Sequence, residues 1–345
     1  MKGQRVLYFD VLNVVSCFSV VCLHSNGYVH EYVKDGYWWL RVLIEVLCFF
    51  AVPVFFMLTG ATLMEYRKKY STKIYLEKRL QKAFLPFLFW SVIFLLFHLI
   101  ISIRSGNDPL SLKDVFEALV TGKIPYTNYW FFIPLFLLYA FLPFLSRIVE
   151  KVNTKSLLSL CAMLFLFQFL IPTIYQLIGI DASYNLPIGG FFVYALLGYY
   201  LSQTPWEENN RVFYIVCVLA IIFLIIRYCL IYFPGEKMPI AFSYFGMYAL
   251  FPSIALFMMI KKSFSYREQH DYDGGNKFLY MNWSFLAKKS YGVFLIHTFI
   301  ISNLLRFIEL KSVFFIPISI VCAYFGSVLI VHLMHSNRLM KYMVP

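Results

Sequence analysis

Residues 84–104, FLPFLFWSVIFLLFHLIISIR, run for 21 positions with no acid, and with His98 as the one titratable side chain before the closing Arg104. A helix needs about 20 mostly apolar residues to cross the hydrocarbon core of a bilayer, so this stretch predicts a spanning helix. Working outward from it, the same test finds nine more segments, at about 6–26, 38–64, 130–149, 156–175, 187–203, 212–233, 243–260, 290–305 and 313–335. The composition agrees: of 345 residues, 61% are apolar and 14% charged, and mean hydropathy is +0.70. Soluble domains carry about 25% charged residues, so a soluble multidomain protein is excluded. The expectation is an all-α polytopic membrane protein, a bundle of about ten transmembrane helices forming one membrane domain over residues 1–345, with no separate soluble domain. Segment 187–203 is short and carries Gly189, Gly190 and Gly198, and Pro252 predicts a kink in 243–260.

An even number of spans puts both termini on one side. The loops on that side hold 21 lysines and arginines and the opposite loops seven. By the positive-inside rule both termini are then cytoplasmic, and the expected location is the cell membrane, multi-pass. The net charge of +12 is thereby explained by topology, and a nucleic-acid partner is not expected. Seven cysteines, at 17, 22, 48, 161, 217, 229 and 322, all fall inside apolar runs without paired spacing. They read as reduced small hydrophobes, not as a disulfide framework or a metal site. The first apolar run holds Asp10 and Asn13 and lacks a small-x-small cleavage site, so it is expected to stay in the mature chain.

Ionisable groups inside spanning helices are costly and are functional candidates by default. At 100° per residue, Asp10, Asn13, Cys17 and His24 fall within one 60° stripe of the first span. Between Asp10 and His24 the rise is about 21 Å, which sets Asp10 near the cytoplasmic mouth and His24 near the outer one. Arg41 and Glu45, four residues apart on the second span, are spaced to neutralise each other level with His24. A histidine beside a carboxylate and an arginine can serve as general base, orienting group and oxyanion clamp; the plainer alternative is polar glue between helices. His98 and Arg227 read as structural or snorkelling, His297 is open between packing and function, and His30, His270, His332 and His335 read as solvated bystanders.

The cytoplasmic loop 65–83, EYRKKYSTKIYLEKRLQKA, holds seven basic residues. Attraction to anionic headgroups explains most of such a loop. Lys78, Arg79 and Lys82, clustered at the start of the third span, add a place where a polyphosphate could sit, with Lys288 and Lys289 at the start of the ninth span contributing to the same opening. Trp38, Trp39, Trp130 and Trp206 read as interfacial anchors.

Taken in order, YFDVLNVVSCFSVVCLH (8–24), VPVFFMLTGATL (52–63), KRLQKAFLPFLFWSVIF (78–94), YWFFIPLFLLYAFLPFLSRI (129–148), FFVYALLGYYLS (191–202) and KKSYGVFLIHTFI (288–300) resemble the integral-membrane acyltransferase family 3 over nearly the entire chain. The resemblance implies a ten-span protein that moves an acyl group, most often acetyl, from cytoplasmic acyl-CoA to a hydroxyl of a surface polysaccharide or lipid-linked glycan outside. His24 matches the histidine of the family's first-span signature, but Asn13 stands where that signature has arginine. Arg79 matches a basic position after the second span, and the extra extracytoplasmic domain of some members is missing from this sequence. The expected partners are therefore the glycan acceptor, acetyl-CoA or another acyl-CoA as donor, and membrane lipids, with no metal and no nucleic acid; a homo-oligomer is left open. In the expected mechanism Lys78, Arg79 and Lys82 hold the CoA phosphates and the pantetheine arm passes Asn13. His24 then takes the acceptor proton, with Glu45 orienting it and Arg41 stabilising developing charge; Asp10 lines the same seam. The competing reading is a transporter or flippase that uses the polar line as a path without chemistry.

Overall fold

A computed structural model describes residues 6–106, 108, 110–178, 190–205, 210–270, 277–305, 307–308, 314–338 and 340–345, without the side chains of 176–177, 265–270 and 277–280. All regular structure among these residues is helical. In chain order the helices are α1 (Leu7–His24), α2 (Gly27–Glu31), α3 (Trp38–Cys48), α4 (Ala51–Leu63), α5 (Thr72–Arg79), α6 (Leu85–Arg104), α7 (Leu112–Thr121) and α8 (Phe132–Lys151). They continue with α9 (Thr154–Phe165), α10 (Ile171–Leu177), α11 (Gly190–Gln203), α12 (Asn210–Tyr232), α13 (Met247–His270), α14 (Lys277–Ala287), α15 (Ser290–Leu304) and α16 (Phe315–Ser336).

Eight helical stretches are long and apolar enough to cross a bilayer among the described residues. The other two expected spans are helical but shorter, with 14 residues in α11 and 15 in α15; positions 187–189, Trp206 and residue 313 lie outside the described residues, as does the side chain of His270. The exterior fits a lipid environment. In the α12 window only 17% of residues are buried, and Ile215, Val218, Ile221 and Ile225 point outward, an apolar surface that water would not tolerate. The protein is thus a multi-pass membrane protein.

The expected span 38–64 falls within one apolar stretch, Trp38–Lys68, whose helix is interrupted at Phe49 and Phe50. Pro53 has no N–H to give to the carbonyl of Phe49, four residues back, so the chain breaks one turn before it. Pro252, by contrast, is accommodated inside α13, which runs without interruption from Met247.

The chain divides into two compact units. One comprises residues 1–65 and 144–287, the other 66–143 and 288–345. In the first, α1 packs against α3, α4, α13 and α14. The tightest contact there is between α4 and α11: a Cβ on Gly60 would lie 1.8 Å from the carbonyl oxygen of Ala195, and one on Gly198 2.0 Å from that of Met57. Small residues of this kind let backbones touch in a membrane. Substituting alanine for Gly60 or Gly198 is therefore expected to lower the thermal midpoint in detergent by several degrees; an unchanged midpoint would show that the helices part at no cost. At the end of α11, buried Lys261 donates to the carbonyls of Leu201 (2.8 Å) and Thr204 (3.0 Å), satisfying groups that the last turn leaves open.

In the second unit a cluster of rings forms the centre: Phe87 against Tyr129, Phe132 and Phe136, and Phe94 against Phe299. The Tyr129 hydroxyl donates to Leu295 O at 2.8 Å, and Trp90 Nε1 donates to Met343 O at 3.0 Å, tying down the last residues. Helix α7, which the hydropathy reading missed, starts with a Ser111–Asp114 capping box. Those hydrogen bonds hold the exposed Asp114 carboxyl below the usual aspartate range.

Candidate functional site

Helix α1 turns its polar stripe into protein. Asp10 is 8% exposed and Cys17 buried, whereas Phe18, about 110° round the helix from the middle of the stripe, is 40% exposed. Asn13 is half-buried, and its amide donates to the carbonyl of Ala287, the last residue of α14, at 3.4 Å. His24 ends the helix, half-buried. Two residues on, Asn26 is fully buried and donates from Nδ2 to Arg41 O at 2.7 Å, which fastens the chain beyond His24 to α3.

The expected ion pair between Arg41 and Glu45 is not formed. Arg41 is fully buried, donates from Nε (2.9 Å) and Nη2 (2.7 Å) to Asp35 Oδ2, and lies 4.7 Å from the Tyr28 ring centroid. Glu45, also fully buried, is held instead by Arg227: Nη2 meets Glu45 Oε1 at 2.8 Å, Nη1 meets the Glu45 carbonyl at 2.7 Å, and Nε meets Ala241 O at 2.9 Å. The guanidinium carbon sits 3.5 Å from the centroid of the Phe49 ring. The cause is competition. Asp35, in the loop before α3, reaches Arg41 first, while a guanidinium inside the bundle cannot remain uncompensated. Arg227 therefore does not snorkel, and His30, read from the sequence as a solvated bystander, has its Nε2 3.7 Å from Glu45 Oε2.

The basic cluster belongs to the second unit. Ser71 caps α5 by accepting from Ile74 N, and the helix delivers Lys78 and Arg79 in its last turn. A single π-helical turn, Leu80–Phe84, follows and carries exposed Lys82. Such turns recur at functional sites because they re-aim side chains within a continuous helix. The turn is held by the Tyr291 hydroxyl donating to Ala83 O at 2.7 Å. Arg79 lies among tyrosines, 5.9 Å from the Tyr75 ring and 5.5 Å from the Tyr139 ring, and Tyr75 donates to Tyr139 O at 3.0 Å. The Nε of Arg79 is buried and has no hydrogen-bond partner among the described residues. Lys78 Nζ sits 3.8 Å over the Tyr70 ring. These rings fix cations that would otherwise sweep through solvent.

Lys289, expected to contribute to the same opening, is instead buried and hydrogen-bonded to His335, whose other ring nitrogen meets Val344 O. Burial, with the nearby charge of Lys288, holds the Lys289 ammonium below the ordinary lysine range. His335 is thus not a bystander. His297 is buried on α15, with Nδ1 2.9 Å from Val293 O, and His98 faces Tyr126 and Ser102 at 3.4 and 3.5 Å.

The arrangement therefore offers two chemistries, a half-buried imidazole at the end of an inward polar stripe and a tyrosine-braced set of cations. No curated protein and no solved structure matches the chain. A family model described as an acyltransferase domain does match, over residues 6–334, and it takes in both the α1 stripe and the Lys78–Lys82 cluster. That weighs against a transporter without chemistry: the chain belongs to the membrane-embedded acyltransferase family 3 and is an acyltransferase.

Proposed function

We propose that this membrane acyltransferase moves an acyl group, acetyl foremost, from cytoplasmic acyl-CoA to a hydroxyl of a surface polysaccharide or lipid-linked glycan, with His24 as general base. The observation that supports this most is the inward polar stripe of α1 ending on a half-buried imidazole. In this reading His24 accepts the proton as the acceptor oxygen attacks the thioester carbonyl. The new C–O bond forms, the C–S bond breaks, and the imidazolium returns the proton to the departing thiolate. Glu45 and Arg41, engaged with Arg227 and Asp35, are not given the orienting and oxyanion parts expected from spacing. Asp10 and Asn13 form the inner stretch of the seam; Asn13, in the family's arginine position, offers hydrogen bonds but no charge.

Arg79, Lys78 and Lys82 take the phosphates of the donor. A guanidinium with a free, buried Nε is suited to a phosphate, which it can meet with two parallel hydrogen bonds. The test uses purified protein in lipid nanodiscs, acetyl-CoA labelled in the acetyl group, and host membranes bearing their native glycans as acceptor. The wild type is expected to release free thiol and to place label in the glycan fraction. Arg79→Ala is expected to raise the KM for acetyl-CoA about ten- to hundredfold, the worth of one hydrogen bond to a charged group, while the KM for membranes stays put. Equal losses on both substrates would remove Arg79 from the donor site.

A further inference from the structure

Helix α7 has ten residues, too few to cross a bilayer, and its surface falls into three sectors. At 100° per residue, Ala118, Val115 and Leu119 share one side, Leu112, Phe116 and Val120 the next, and Lys113, Glu117 and Asp114 the third. The first side packs inward against α6. The second is apolar yet bare, with Leu112, Phe116 and Val120 90%, 69% and 54% exposed. The charges of the third are exposed as well. A short helix with an apolar side and a charged side lies in the plane of a membrane interface.

Both ends of α7 are fixed. The Ser111–Asp114 capping box starts it. It closes on Gly122, at φ +72°, where a Cβ would lie 2.6 Å from the Tyr129 carbonyl oxygen, so only glycine fits. Between α7 and α6 a cavity of about 240 Å³ is left, with Val92, Leu95, Leu96 and Leu99 of α6 and Val115 and Leu119 of α7 in its wall. That exceeds the ~150 Å³ of an apolar cavity that takes up benzene. The one titratable lining residue is His98. Its Nδ1 is 3.4 Å from the Tyr126 hydroxyl and its Nε2 3.5 Å from that of Ser102, so neither ring nitrogen is left for an occupant. Whatever enters has to be apolar.

Depth identifies the occupant. Leu99 lies five residues and Val92 twelve residues before the end of α6 at Arg104, a rise of about 8–18 Å, and each leaflet of hydrocarbon is about 15 Å thick. Val92, Leu96 and Leu99 are themselves exposed, so the cavity opens off the side of α6 at the level of lipid tails. A helix, about 10 Å across, is too wide for this space. We infer that the cavity between α6 and α7 is a binding site for one acyl chain of a bilayer phospholipid. Helix α7 lies in the interface beside it, with Leu112, Phe116 and Val120 sunk among the neighbouring chains. The site goes beyond the acyl-transfer reading and does not depend on it.

The test places purified wild type, Leu119→Trp and Leu95→Trp in nanodiscs of phosphatidylethanolamine and phosphatidylglycerol. A small share of the phosphatidylethanolamine carries a photoactivatable diazirine midway along one acyl chain. After illumination, mass spectrometry quantifies the label on the half-buried lining residues His98 and Val115, and on Ile215, Val218 and Ile221 of α12 as the measure of ordinary bilayer contact. The two tryptophans fill the cavity from opposite walls. Each is expected to lower the label on His98 and Val115 at least fivefold while the label on α12 stays within twofold. Label on His98 and Val115 that is unchanged or raised in both variants overturns the site, as does a fall shared equally by α12. Displacement of the label by a polyprenyl phosphate, where the same amount of added phosphatidylglycerol displaces none, overturns the phospholipid assignment and gives the cavity to an isoprenoid chain.

Discussion

Arg227→Ala is expected to destabilise the protein by about 3–5 kcal/mol, the usual consequence of removing one partner from a buried ion pair. Three hydrogen bonds donated by Arg227 disappear at once, two to Glu45 and one to Ala241 O, and the Glu45 carboxylate is left fully buried beside an emptied volume. Desolvation, not the loss of attraction, sets the size of the effect. A double variant in which Glu45 becomes leucine and Arg227 methionine should accordingly be far more stable than Arg227→Ala, because it removes both charges while keeping apolar bulk. Thermal unfolding of purified protein in detergent, followed by helical circular dichroism, measures both. A double variant less stable than the single one would mean that the pair is a net source of stability and that its environment is more polar than the burial of both side chains indicates.

His24→Ala is expected to lower acyl transfer by about 10²–10⁴-fold, the range over which a positioned general base contributes. The side chain ends α1 and is only half-buried, so its truncation leaves the packing of Asp10, Cys17 and the apolar residues around them intact, and the thermal midpoint should barely move. Donor binding should also persist, since the proposed phosphate contacts come from Lys78, Arg79 and Lys82. Single-turnover transfer from labelled acetyl-CoA to host membranes gives the rate, and equilibrium binding of acetyl-CoA supplies the control. Transfer at the normal rate by folded protein would remove His24 from the chemistry.

What could be read from the sequence divides along a physical line. Span existence was legible because length and apolarity are local properties, as in 84–104, and the inward turn of the α1 stripe followed from a constant 100° step per residue. Boundaries were less so: the break before Pro53 depends on one missing N–H inside an otherwise apolar run. The charged pair was misread for a different reason. Spacing of four correctly places Arg41 and Glu45 on one face, but it says nothing of competitors. Glu45 is claimed by Arg227, 182 positions away, and Arg41 by Asp35 in a neighbouring loop. Arg227 gave no local sign of this, since a single cation near a span end looks the same whether it reaches for water or for a distant carboxylate. The tyrosines bracing Arg79 were equally silent: Tyr75 is nearby, whereas Tyr139 comes from the middle of α8.

The glycine contact of α4 and α11 bears on how this protein can diversify. Where two main chains meet with no side-chain layer between them, no atoms are available to trim or enlarge, so neither a new cavity nor a new selectivity can arise at that seam by substitution. A change of substrate has to be written into walls built of replaceable side chains, and the α4–α11 spine has to be kept whole.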